Sequence, residues 1–495
     1  MPFIKLKLTF SFTLFMLLFG SNLATATENI DTINLIDNYL TKLQNEQNFS
    51  GAVLIIKGNK KVLCKGYGYA DKENKIKFTP RTLTSIGSIT KAFTATAILK
   101  LVEQHKLELN DKLNKFFPQV PKDKQNITLH HLLTHSSGFH EFLKDDAGDY
   151  ENINTNDFLN RAFKEPLAFE PGTKAVYTNV GYSILGIIIE QVSGLEYETF
   201  LKLKVLQPIG ISQIGYHYPI NQNDTIAKGY RNNQLWGTHQ QKFDEAKGGP
   251  YWNLKANGGL EASLNDIFLW ANGFTNKTIL HDTIINKMFN SHIVEDGMNG
   301  EYYFGYGCNI SKSRRNTKLI DNGGSNGIYH ARLLRLPEED VIFYMVTNES
   351  SINTNMVLPN VTQLYFKGFI EQDALAIKAP FENELAQKIY NIIHKPLTNT
   401  FEKELINSQI EIQDDMILLE VGQRLIHENK PQLALILYDL YTLKFPNIVV
   451  AWNDKADVYM MLNNKEMAIS CYKKALELRP TNQRAMDALN NIEKH

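Results

Sequence analysis

Cysteine is almost missing from this chain: Cys64, Cys308 and Cys471 are the only three among its 495 residues. Three is an odd count for an exported protein, so at least one thiol has no partner within the chain. Cys64 and Cys308 lie in apolar, strand-like segments where a bridge or two buried free thiols would fit equally, and neither lies where a catalytic role is suggested. A charge excess is missing too. With 52 basic against 53 acidic residues and no extended basic face, nucleic acid is excluded as a partner. A membrane-length apolar run is lacking at the N-terminus, where Lys5 and Lys7 precede the apolar segment Leu8 to Gly20 and the small residues Ala24-Thr25-Ala26. That segment is too short to span a bilayer, so residues 1–26 read as a secretory signal peptide and imply a periplasmic or secreted protein. No cysteine follows it, which argues against a lipid anchor.

Two further absences narrow the chemistry. His131 and His135 have the i, i+4 spacing of a metal pair, but no carboxylate lies between them and Ser136-Ser137-Gly138 ends the helix at once. Asn322-Gly-Gly-Ser-Asn-Gly327 is a glycine turn without a lysine or a following helix, so it is not a phosphate loop. No metal or organic cofactor is implied.

What is present centres on Ser85-Ile-Gly-Ser-Ile-Thr-Lys91 and the apolar run that follows, a helix expected from Ser88 to about Val102 and too apolar for the surface. Residues three apart share a helix face, so Lys91 comes back over Ser88. A serine hydroxyl is a weak nucleophile without a base, and lysine serves only if its pKa falls from about 10.4 to near 7, a change of about 4 kcal/mol. That demand calls for a second helper. The S-x-x-K spacing alone decides little, since Ser470-Cys-Tyr-Lys473 also fits.

The surroundings add order. A helix over Asn29–Gln47 precedes two strands, Gly51–Lys57 and Lys61–Tyr67, joined through Gly58-Asn59. Phe169-Glu-Pro-Gly172 marks a turn before Tyr177-Thr-Asn179 and an apolar helix, and Ser263 and Asp266 occupy capping-box positions ahead of a helix to Asn272. Four strands close this part: Tyr306–Ile310, Lys318–Asp321, Ile328–Arg335 and Val341–Val346. Helices between two groups of strands predict an α+β fold with the terminal strands side by side in an antiparallel sheet.

Together these stretches resemble the penicillin-recognising serine hydrolases: class C β-lactamases, D-alanyl-D-alanine carboxypeptidases, D-aminopeptidases and esterases. The matching text is Ser88-Ile-Thr-Lys91, Ile127 to Gly138, Glu170-Pro-Gly172, Tyr177-Thr-Asn179 with Gly181-Tyr182, and Asn257-Gly-Gly259, across roughly residues 30 to 370. The resemblance implies a β-lactamase/transpeptidase-like fold, with Ser88 as acylated nucleophile, Lys91 as its proton partner, Tyr177 as general acid/base and Asn179 as an orienter. Which of Lys91 and Tyr177 takes the first proton stays open. The implied oxyanion hole is formed by backbone N–H groups of Ser88 and Gly324.

One departure stands out. Where the family has Lys-Thr-Gly or His-x-Gly, the best match is Asp321-Asn322-Gly323, assigned here to substrate binding. A carboxylate in place of the cation would repel a substrate carboxylate and raise the pKa of Tyr177. Asp321 would pair with Lys91 or receive a substrate amino group, favouring an aminopeptidase-like or ester substrate over a β-lactam. His330 is either a replacement proton donor or a surface strand histidine.

The remaining chain reads as a linker over 373–412 and two tetratricopeptide units at about 415–446 and 449–480. Gly422, Ala434, Tyr438 and Pro446 recur 34 residues later as Ala456, Ala468, Tyr472 and Pro480, with Trp452 and Tyr459 in the second unit. The expected organisation is therefore a signal peptide (1–26), a hydrolase domain (27–372), the linker and the repeats (413–495), which offer a surface for a protein or peptide partner. The expected activity is hydrolysis of a small amide or ester through a Ser88 acyl-enzyme. The alternative is a weak or inactive protein that senses a peptide or cell-wall fragment.

Overall fold

A computed structural model of the chain describes residues 31–217, 225–231, 234–297, 302–350, 352–370, 384–395, 400–413, 415–480 and 482–493. The signal peptide expected over 1–26 lies outside the described residues. Among them, no helix is long and apolar enough to cross a membrane.

One sheet organises the first part. Strands β1 (Gly51–Lys57), β2 (Lys60–Tyr67), β3 (Ile293–Val294), β4 (Tyr303–Phe304), β5 (Asn309–Lys312), β6 (Lys318–Ser325), β7 (His330–Leu336) and β8 (Val341–Thr347) form an eight-stranded sheet in the order β2-β1-β8-β7-β6-β5-β4-β3. Every pairing is antiparallel, and β1 lies beside β8 with Gly51 opposite Thr347. The first and last long strands of the domain thus lie side by side in an antiparallel sheet, as expected, with only β2 beyond them on that edge.

Alternation along these strands makes two cores. Ala52, Leu54 and Ile56 of β1 and Tyr344 and Val346 of β8 face one side. Helices α2 (Thr90–Glu103) and α4 (Asn179–Ser193) pack there. Val53, Ile55, Phe343 and Met345 face the other, beneath α1 (31–47) and α6 (Thr354–Lys367). Each fully buried large apolar side chain contributes roughly 1.5–3 kcal/mol, so α2 is fixed by Phe93, Ile98, Leu99 and Leu101, all buried on it. Two further helices on this side are α3 (Leu129–Leu133) and α5 (Leu264–Thr275), and the Ser263–Asp266 capping box opens α5 as its sequence predicts.

The three cysteines are free thiols: Cys64 stands on β2, Cys308 precedes β5 and Cys471 lies in the C-terminal part. The segment read as a linker over 373–412 is not wholly a connector. It contains α7 (Glu384–Ile393) and α8 (Phe401–Asn407), whose Ala386, Ile389 and Leu405 are buried against Leu418, Val421 and Leu437. Apolar residues at helical spacing within a polar stretch hid this packing. Beyond it stand α9 (Asp415–His427), α10 (Pro431–Lys444), α11 (Val449–Met461), α12 (Lys465–Leu478) and α13 (Gln483–Glu493). Gly422 has no side chain because a Cβ there would lie 2.6 Å from the Tyr438 ring.

Candidate active site

Ser88 occupies a 3-10 turn, Gly87–Ile89, that runs directly into α2. The turn passes beneath β6 so closely that a Cβ on Gly87, which has φ +50°, would lie 2.5 Å from the Ser325 nitrogen. Glycine is needed there for both space and conformation. Lys91 is the second residue of α2 and folds back over the turn, its Nζ 3.3 Å from Ser88 Oγ.

Lys91 is 2% exposed. Its Nζ donates to Asn179 Oδ1 at 2.6 Å and to the Asn257 carbonyl at 2.7 Å. Asn179 opens α4, where the Thr178 side chain caps the helix by accepting from the Gly181 N–H. Tyr177 lies just before that cap and donates its hydroxyl to Ser88 Oγ at 2.7 Å. Its ring stacks on His135, with centroids 4.7 Å apart.

Burial pushes the Lys91 ammonium down to about 7, against the opposing pull of Glu141 and Asp149. This supplies the shift that a lysine base demands. The Tyr177 hydroxyl is pushed above its ordinary value, mainly by burial, with the Ser88 contact opposing and Glu141 adding to the rise. His135 is held far below the usual histidine range by burial and by Lys91, and its Nδ1 accepts the Thr178 N–H at 3.1 Å. His131 Nδ1 instead caps its own helix at the Thr128 N–H, so the two histidines serve separate local bonds.

Strand alternation settles the β6 register. Ile320 packs on Cys308 and Ile310, Asn322 donates to the Gly307 carbonyl at 2.6 Å, and a Cβ on Gly324 would meet Ile86 O at 2.0 Å and Ser88 N at 2.9 Å. These three therefore face the nucleophile turn. Asp321 points the opposite way, paired with Arg332 at 2.6 Å and 3.1 Å, and Arg332 also donates to Asn355 on α6. The expectation that Asp321 meets Lys91, substrate or Tyr177 is thus corrected by one residue of register. The inward residue is neutral Asn322, and the carboxylate acting on Tyr177 is Glu141.

The oxyanion assignment shifts likewise. Asn326 N donates to Tyr329 O at the end of the β6–β7 hairpin. Alternating ladder bonds then turn the Gly324 N–H towards β7 and the Ser325 N–H towards the free edge beyond β5, whose pairing stops at Asp321. Ser88, Ser325 and Asn326 line a cavity of about 470 Å³ together with Glu141, Asp149, Tyr177, Asn179, His239 and the Asn257–Gly259 turn. Asp321, Asn322, Gly323 and Gly324 do not line it. His330 is half-buried at a different cavity beside Arg231 and is pushed down to about 4 by burial, then by Arg231, so it supplies no proton at Ser88.

Sequence reasoning missed the acidic rim. Glu141 is exposed and Asp149 half-buried, and both carboxyls are raised by desolvation, Asp149 to about 6 with a further push from Asp146. His239 was missed too. It accepts or donates at Tyr150 (2.7 Å) and Ser85 (3.0 Å) and is pushed down to about 4 by burial. The signal for Glu141 was its place just after the Ser137-Gly138 turn.

A sheet with this order, carrying a serine turn and a lysine one helical turn apart beneath the end of β6, is a β-lactamase/transpeptidase-like fold. Residues 36–361 match the beta-lactamase family, and the chain belongs to it. Residues 449–482 match the tetratricopeptide repeat. Similar curated proteins include "Putative penicillin-binding protein PbpX" of Bacillus subtilis, 33% identical over 204 residues covering 41% of this chain and 50% of that protein. "Protein flp" of Staphylococcus aureus is 34% identical over 184 residues, 36% of this chain and 37% of that one. The chain thus spans half or less of the length of these relatives. Among solved structures, the octameric penicillin-binding protein homologue from Pyrococcus abyssi superposes with TM-score 0.61 at 27% identity, over 73% of this chain and 82% of that one. D-amino acid amidase from Ochrobactrum anthropi, at 20% identity and TM-score 0.58 over 68% of this chain and 100% of that one, shares the fold. The family points to a serine hydrolase-type enzyme.

Proposed function

We propose that this chain is an exported serine hydrolase that cleaves a small amide or ester through a Ser88 acyl-enzyme, and that its substrate carries a free amino group near the reacting carbonyl. The observation that carries the reading is the set of Lys91 partners. Asn179 Oδ1 and the Asn257 carbonyl are acceptors only, so they fix two N–H bonds and leave the third direction of Nζ aimed at Ser88. In the neutral amine that direction is a lone pair. Lys91 is therefore the base that takes the Ser88 proton as Oγ attacks the carbonyl carbon.

The tetrahedral oxyanion then sits against the N–H groups of Ser88 and Ser325. Tyr177 stays protonated and gives its proton to the leaving nitrogen or oxygen, while the Lys91 ammonium returns one to Tyr177. The acyl group is left on Ser88 with the amine of Lys91 regenerated. Water repeats the sequence in reverse, losing a proton to Lys91 and releasing the acid as Oγ is reprotonated.

Substrate polarity follows from the rim. Among the described residues that line the cavity there is no lysine or arginine, whereas Glu141 and Asp149 both line it. A bond between an amine and a carboxylate is worth about 1.5–3 kcal/mol. The test compares aminoacyl p-nitroanilides with their N-acetylated forms. Free amines should be preferred by at least about tenfold, and Glu141→Gln with Asp149→Asn should erase the preference. Equal turnover of both forms would rule out amine recognition. A protein that never acylates would instead be a binding protein.

A further inference from the structure

The Ser88 cavity does not end at the catalytic domain. Phe142, Asp149 and Asn326, which line it, also line a second cavity of about 540 Å³ whose far wall is Asp457, Tyr472, Arg479, Arg484 and Asp487 of the C-terminal helices. That cavity in turn shares Arg231, Arg479, Asn482 and Arg484 with a third of about 880 Å³ between the two parts of the chain. An ion pair between Lys242 and Asp487 at 3.8 Å ties the last helix to the catalytic side. Through these shared residues the three cavities adjoin in series, and we read them as one cleft leading away from the nucleophile.

Charge changes along it. The Ser88 end carries Glu141 and Asp149, and the far end carries arginines in different states of pairing. Arg484 is committed to Asp454 and Asp457, which hold its guanidinium. Arg231, half-buried at the end of the strand Gly229–Arg231, makes no ion pair and no side-chain hydrogen bond among the described residues. The carboxylates nearest it, Asp454 and Asp457, are those Arg484 already binds. Arg479, exposed just past α12, likewise has no ion pair or side-chain hydrogen bond among the described residues. Between the two ends the walls include Phe142 and Leu235, 49% and 45% exposed, and Trp236.

We infer that the repeats are the outer wall of the substrate cleft, and that Arg231 and Arg479 receive the carboxylate of a peptide whose amino end lies at Ser88. The inference rests on the hydrolase reading for the polarity of the peptide, and on the cleft alone for the anion site. A guanidinium with free N–H donors binds a carboxylate through paired, charge-assisted bonds. Burial and the neighbouring Arg484 push Arg231 down to about 10, a strain that an anion placed between them relieves. The chain then reads a peptide at both ends, and the family's missing carboxylate-binding cation is replaced at a distance by one from outside the Ser88 pocket.

The test uses the full chain with Ser88→Ala, so that nothing turns over. Peptides of three to five residues beginning with D- or L-alanine, each as free acid and as C-terminal amide, are titrated by calorimetry. At least one free acid should bind tenfold or more tightly than its amide, the scale of one charge-assisted bond. Arg231→Gln and, separately, Arg479→Gln should bring that ratio to within about threefold, the scale at which the bond is absent. Arg479 is exposed, so its variant keeps the question open to measurement if Arg231→Gln does not fold. Ratios near one for every pair, absence of any binding, or a preference that survives both substitutions would overturn the inference. A preference for free acids in Ser88→Ala, together with a wild-type chain that takes no adduct from a fluorophosphonate, would leave the arginine site standing and remove the hydrolase reading instead.

Discussion

Lys91 Nζ lies 3.3 Å from Ser88 Oγ while two acceptors, Asn179 Oδ1 and the Asn257 carbonyl, hold its other bonds at 2.6 and 2.7 Å. Because burial sets this lysine at about 7, its neutral form is available near neutral pH. The base works only when deprotonated, so kcat/KM should be low below pH 6 and rise through about 7 to a plateau. Protonation of Asp149 near 6 steepens the acid limb for substrates with a free amine. Lys91→Arg, which cannot deprotonate, should lose about 10³-fold or more across the whole range. A pH–rate profile flat from 5 to 9 would contradict the assignment.

Tyr177→Phe removes the hydroxyl that bonds Ser88 at 2.7 Å but keeps the ring stacked on His135. Loss of a positioned proton donor costs about 10²–10⁴ in rate. The loss should be larger for an amide, whose leaving nitrogen needs a proton, than for a p-nitrophenyl ester, whose phenolate does not. Equal losses for both substrates would remove the leaving-group role.

Adjacent glycines on β6 should behave in opposite ways. A Cβ on Gly324 meets Ile86 O at 2.0 Å, so Gly324→Ala must displace the Ser88 turn, and a misplacement of that kind costs about 10²-fold. Overpacking adds about 1–3 kcal/mol of destabilisation. Gly323 has nothing within 4 Å of its Cβ position, and Gly323→Ala should leave both activity and Tm close to wild type. Thermal melts with a chromogenic ester distinguish the two.

Asp321→Asn tests the register directly. The carboxylate is paired with Arg332 on the α6 side, so activity should change less than about threefold, and stability by no more than about 1 kcal/mol for a partly exposed pair. A large change in kcat/KM, or a new affinity for substrate carboxylates, would place Asp321 at the site after all.

Much of the fold and of the site is legible in the sequence. The helix, the β1–β2 hairpin and the last strands were marked by periodicity and turn residues, because burial on one or both faces dictates those patterns. Ser88, Lys91, Tyr177 and Asn179, named from motif order, are brought together by the structure. The β6 assignment was off by one because strand sides alternate, and sequence gives no register for Asp321-Asn-Gly-Gly without its neighbours. Glu141, Asp149 and Arg231 were invisible because loops and a short strand bring them to the cleft through tertiary packing. The helices inside 384–407 were hidden by their polar flanks.

The whole mechanism depends on Ser88 being the activated nucleophile. Intact mass after incubation with a fluorophosphonate, compared between wild type and Ser88→Ala, tests it most directly. A single phosphonyl adduct is expected on the wild-type chain and none on the variant. An equal adduct on Ser88→Ala, or no adduct on either, would contradict it.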